Sequence, residues 1–76
     1  MTTQEINSLA KEGFLRYIER LKVEKGLSEY CIMKNVQKHQ PKVPRNIITQ
    51  IRNNDKRISL ELCVLIGASN DYPFII

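Results

Sequence analysis

The side chains best able to do chemistry lie in the middle of the chain, and they are basic. Lys34, Lys38, Lys42, Arg45, Arg52, Lys56 and Arg57 fall within residues 34–57 against Asp55 alone. Residues 1–33 balance acids and bases, and residues 58–76 hold only Glu61 and Asp71, so the net charge of +4 originates in the centre. Such a segment suits a phosphate backbone, where each neutralised phosphate releases condensed counterions. A solvated basic face is the other outcome of the same composition. Catalytic groupings are missing: there is no carboxylate pair, no Ser or Cys nucleophile with a suitable His, and no glycine-rich phosphate loop. The chain is therefore expected not to be an enzyme and to use no cofactor. His39 lies in a polar stretch without acidic or cysteine neighbours, so no metal is expected. Cys31 and Cys63 are read as reduced, buried small hydrophobes rather than a disulfide.

The elements that must position these residues are helical. With 76 residues, 42% of them hydrophobic, the chain has room for a single domain near the size at which one core suffices. No apolar run reaches the roughly 20 residues of a membrane span. The amino terminus has no hydrophobic leader, so a cytoplasmic location is expected. A first helix is expected from about Ser8 to Lys25, with Leu9, Phe14, Leu15, Ile18 and Leu21 on one stripe and Gly26 as its stop. Ser28 caps a second helix ending near Gln37, followed by a proline-stiffened loop over residues 37–44.

Pro44 suits the first turn of a third helix, whose Ile47, Ile48 and Ile51 recur at helical spacing until Asn53-Asn54-Asp55 ends it. Ser59 caps a fourth helix, Leu60 to Ala68, which is apolar almost all round. Its outer face needs a cover, either the tail Tyr72-Pro73-Phe74-Ile75-Ile76 or a second subunit.

Two stretches carry a resemblance. The first helix closes in Lys25-Gly26-Leu27-Ser28, and the centre reads Ile48-Thr49-Gln50-Ile51-Arg52-Asn53-Asn54-Asp55-Lys56-Arg57-Ile58-Ser59-Leu60. Together, over about residues 14–68, they resemble the Cro and phage-repressor type of helix-turn-helix DNA-binding family. The resemblance implies an all-α, compact, four- to five-helix lambda-repressor-like domain with its core at about residues 9–69 and an apolar tail at 70–76. The chain departs from the family between its second and third helices. About five extra residues, 37–41, stand where the family has a tight glycine turn.

The same resemblance implies a recognition helix at about residues 44–53 in the major groove of double-stranded DNA. Arg45, Asn46, Thr49 and Gln50 then contact base edges: Arg on guanine O6 and N7, the amides on adenine, and Thr49 on a thymine methyl or a phosphate. Ser28, Lys42, Asn53, Lys56 and Arg57 contact phosphates, while Glu29 is a poor group to present to one. The expected protein is a sequence-specific transcriptional regulator. It is expected to work as a homodimer through helix four and the tail, where Leu62, Leu65, Phe74, Ile75 and Ile76 need burial, and to have no small-molecule ligand. Two other readings stand beside it. One is a protein-interaction module that uses the same scaffold without binding DNA; the other is an RNA-binding domain, disfavoured by the lack of exposed stacking aromatics near the basic segment.

Overall fold

Helix α1 spans Thr3–Lys25 and starts about a turn earlier than the periodicity indicates. Thr2 is the reason. Its Oγ1 accepts from the Glu5 backbone N–H at 3.2 Å, on the Thr-x-x-Glu spacing of a capping box. The early turns carry no core: Ile6 and Leu9 are exposed, and the buried side begins at Phe14 and continues through Tyr17, Ile18 and Leu21. The core thus starts later than residue 9. Gly26 ends the helix at φ 65°, a left-handed conformation that glycine adopts without strain.

Helix α2, Glu29–His39, is capped by Ser28, whose Oγ accepts from Cys31 N–H at 3.2 Å. Ile32, Met33 and Val36 face the core. The helix runs past the expected stop at Gln37, so the connection to the next helix is residues 40–46. Gln37 braces that connection from the helix, donating through Nε2 to Val43 O at 2.8 Å.

Helix α3, Ile47–Arg52, is shorter than the expected 44–53. Pro44, Arg45 and Asn46 instead form a turn closed by Ile47 N–H on Pro44 O at 3.2 Å. Six residues cannot sustain a helix alone. Ile47, Ile48 and Ile51, each at most 3% exposed, hold it in the core. Each such side chain contributes about 1.5–3 kcal/mol by leaving water.

Helix α4, Leu60–Ser69, starts at Ser59, whose Oγ accepts from Leu62 N–H at 3.1 Å. It packs chiefly against α2, while α3 packs against α1. After α4 the chain turns through Asp71 and doubles back over α1. Tyr72 N–H reaches Gly67 O at 2.9 Å, the Tyr17 hydroxyl donates to Tyr72 O, and Phe74 stands edge-on to the Tyr17 ring. Burial, with a smaller push from Cys63, raises the Tyr17 phenol to about 12, so it remains a donor at neutral pH. Gly67 permits the close approach. A Cβ there would lie 2.8 Å from Phe74 N and 2.9 Å from both Tyr17 Oη and Tyr72 O.

The computed structural model describes residues 1–74. Among them the chain is all helical, with four helices, and its 12.0 Å radius of gyration is near the roughly 11 Å of a compact chain this long. Among the described residues no helix is long and apolar enough to cross a membrane. Leu62, Leu65 and Phe74, expected to need an outside cover, are already partly buried against the chain's own core. Ile75 and Ile76 lie outside the described residues. Of the two cysteines, Cys63 is buried as expected, whereas Cys31 is exposed.

Candidate nucleic-acid interface

The first turn of α2 places Glu29 between α1 and α3. Its Oε2 accepts from Lys22 Nζ at 2.9 Å and from Arg52 Nη2 at 3.2 Å. Burial alone would raise the Glu29 carboxyl, but the two cationic donors outweigh it and hold the group below its ordinary range. The same contact, with Glu19 assisting, raises Lys22. Glu29 thus ties three helices together. Arg52, one of the seven central bases, is directed to it from across the junction, on the edge of α3.

On its outward side α3 is polar, because its isoleucines all turn inward. Thr49 is exposed and Gln50 half-buried. Asn46, directly before the helix, is exposed and does not cap it through its side chain. Instead its Oδ1 accepts from Gln50 Nε2 at 2.8 Å. The two amides therefore form one unit, which retains Gln50 Oε1 as an acceptor and Asn46 Nδ2 as a donor. Arg45 lies in the preceding turn, not in the helix as expected. Its guanidinium sits 5.4 Å above the Tyr30 ring centroid, within cation–π range. Tyr30 is an exposed residue of α2, which corrects the expectation that no exposed aromatic stands near the basic segment. Its spacing from Arg45 crosses the whole connection, so no local pattern could have paired them.

The phosphate candidates divide. Ser28 is exposed, and its hydroxyl proton stays available while its oxygen caps α2. Lys42 is exposed on the 40–46 connection. Asn53, Lys56 and Arg57 are exposed in the turn that follows α3. That turn is built by Asp55 N–H on Gln50 O at 2.8 Å and by Asn54, which takes the left-handed φ of 65°. Lys11, from α1, donates to Asn54 Oδ1 at 3.0 Å. The sequence reading counted Lys11 among the balanced charges of the first helix and missed this approach across 43 residues.

The ends of α3 therefore carry unlike chemistry: an arginine stacked on a tyrosine before it, and exposed cations after it. A comparison with known protein families, with curated proteins and with solved structures finds no match to this chain.

Proposed function

We propose that the chain is a helix-turn-helix domain of the Cro and phage-repressor type that binds double-stranded DNA with sequence specificity and regulates transcription. What carries this reading is the composition of α3 and its flanks. Three isoleucines are committed to the core, and the outward side offers Asn46, Thr49 and Gln50 between Arg45 and the Lys56–Arg57 turn. Arg45 then forks onto guanine O6 and N7, the Asn46–Gln50 unit meets an adenine edge, and Thr49 meets a thymine methyl or a phosphate. Lys56, Arg57, Asn53, Lys42 and Ser28 fix the register on phosphates. In this reading the domain binds DNA and catalyses no reaction.

The test is a salt titration of binding to random duplex, followed by selection of a preferred site. Each phosphate contact contributes roughly 0.9 to the log–log salt slope. The double substitution Lys56→Ala/Arg57→Ala should lower that slope by about two. Arg45→Ala/Gln50→Ala should leave the slope nearly unchanged and reduce discrimination between sites. A wild-type protein that ignores duplex DNA at low salt refutes the proposal.

Homodimerisation belongs to the same reading. Leu60 and Val64, one turn apart on α4, are 56% and 54% exposed. Leu60 lines a groove of about 920 Å³ together with Phe14, Arg16, Arg20, Ile58, Cys63 and Phe74. Glu61, exposed on the same helix, carries the charge opposite to those arginines. Light scattering should give a dimer that Leu60→Glu/Val64→Glu turns into a monomer. The same groove favours one other reading, a protein-interaction module on this scaffold. Charge reversal at Lys56 and Arg57 would leave that binding intact and abolish DNA binding.

A further inference from the structure

A cleft of about 360 Å³ lies between α1 and the turn after α3, lined by Asn7, Lys11, Asn54, Lys56 and Arg57 over a floor that includes Ile51. We propose that this cleft is a phosphate-binding pocket in which Lys11 of α1 completes the pair of cations on the turn. Three cations drawn from two distant stretches of chain share one small concavity, an arrangement that repels itself unless an anion is present. Lys22, Arg52 and Arg16 each have a carboxylate within 4 Å. Among the described residues, Lys11, Lys56 and Arg57 have none, as is also true of Arg20, Lys25, Lys34, Lys38, Lys42 and Arg45; what sets the three apart is that they line one small cleft. The acid nearest in sequence to Lys56 and Arg57, Asp55, is exposed and enters the turn's hydrogen bonding through its backbone N–H, while Glu12, next to Lys11, pairs with Arg16 at 3.6 Å.

The neutral partner of Lys11 suits this role. Asn54 Oδ1, at 3.0 Å, orients the ammonium without cancelling its charge and leaves two of its N–H donors for a ligand. Asn54 itself sits in the turn with a left-handed backbone, φ 65°. Asn7 adds a further amide to the lining. The ligand chemistry is a phosphate monoester or diester oxygen. It can come from a duplex backbone or from a free phosphate; in the first form the proposal rests on the DNA-binding reading, and in the second it does not.

The experiment has two arms on the whole chain. In the first, inorganic phosphate is titrated at constant ionic strength while backbone amide shifts are followed by NMR. Saturating shifts confined to Asn7, Lys11, Asn54, Lys56 and Arg57 are expected. Lys11→Arg should retain them, and Lys11→Gln should weaken binding about tenfold, the loss of one charge-assisted hydrogen bond. In the second arm, Lys11→Gln should lower the salt slope for duplex by about one, while Lys25→Gln, at the far end of α1, leaves it unchanged. Phosphate shifts without duplex binding support the pocket and refute the DNA reading. A lowered slope without free-phosphate shifts supports the pocket as a backbone site. Unchanged behaviour of Lys11→Gln in both arms, or equal shifts at every Lys and Arg, overturns the pocket even where the duplex binds.

Discussion

Replacing Gly67 by alanine tests the docking of the tail, on which the groove beside α4 depends. In a free helix the change would stabilise by about 1 kcal/mol, because glycine is the poorer helix former. Here the new methyl would stand 2.8 Å from Phe74 N and 2.9 Å from Tyr72 O and Tyr17 Oη. Two of those atoms are backbone, and the third is the hydroxyl that holds the tail by donating to Tyr72 O. The tail must therefore shift outward. Leaving the buried hydroxyl unpaired costs about 1–3 kcal/mol. Loosening the edge-on Tyr17–Phe74 contact costs about 0.5–1.5 kcal/mol more. Against the propensity gain, the net loss is about 0.5–3.5 kcal/mol, and each kcal/mol lowers Tm by roughly 4–8 °C in a domain of this size. Gly13→Ala is the matched control, because a Cβ on that helical glycine meets nothing within 4 Å. It should stabilise by up to about 1 kcal/mol. Thermal and urea unfolding followed by circular dichroism measures both. If Gly67→Ala stabilises as Gly13→Ala does, the tail does not lie on α4 and the groove is not formed.

Glu29→Gln should cost about 1 kcal/mol at neutral pH, a pair of partly exposed ion pairs. Since the folded carboxyl titrates below its unfolded value of roughly 4.3, that contribution is complete above this value and is lost as pH falls through the folded pKa. Urea midpoints of wild type and variant should therefore differ at pH 7 and converge in acid; a constant gap refutes the carboxylate's part. Of the two thiols, exposed Cys31 should react with a disulfide reagent in the folded protein, whereas Cys63, buried and with its thiol pushed up by that burial, should react only on unfolding. Two equally fast thiols would contradict the packing of α4. On the DNA-binding reading, Tyr30→Phe should keep, and Tyr30→Leu lose, a preference for guanine at the position proposed for Arg45, because only an aromatic face carries the cation–π contact. Equal specificity in the two variants would show that the stacked tyrosine does not hold the arginine.

The sequence made the helices legible where burial and capping agree, as with Ser28, Ser59 and Gly26. It misled at α1, because the apolar stripe begins only at Phe14, while the Thr2-x-x-Glu5 cap that extends the helix is a purely local signal. It misled again at Pro44. A proline before a helical pattern commonly opens the first turn, yet here Pro44 to Asn46 close a turn of their own, and Ile47, the first side chain to reach the core, starts the helix. At the candidate site, the exposed polar face of α3 could be read from the inward isoleucines. The partners of its edge residues could not. Arg45 on Tyr30, Arg52 on Glu29 and Lys11 on Asn54 each join segments that only the packed core brings near. The buried amide of Asn70 is of the same kind, linking α4 to Asn35 and to the Ile32 carbonyl of α2.

Glu29 gives these placements a common consequence on the DNA-binding reading. A carboxylate in the first turn of α2 repels a phosphate that would otherwise approach that helix's N-terminal amides. It also neutralises Arg52, the last residue of α3, so two favourable phosphate partners are removed together. Meanwhile the turn at the far end of α3 gathers Lys56 and Arg57 with Lys11 from α1. On that reading the anchoring that remains is the turn beyond Arg52, where Lys56, Arg57 and Lys11 share a cleft. Glu29→Gln therefore separates the two roles of that residue. It should lower fold stability through the lost ion pairs while strengthening duplex binding, since it removes a repulsive charge and frees Arg52 for a phosphate. A rise in the salt slope by about one, alongside the fall in the urea midpoint, is the expected result. A parallel fall in both would mean that Glu29 only holds the three helices together and that no phosphate passes near it.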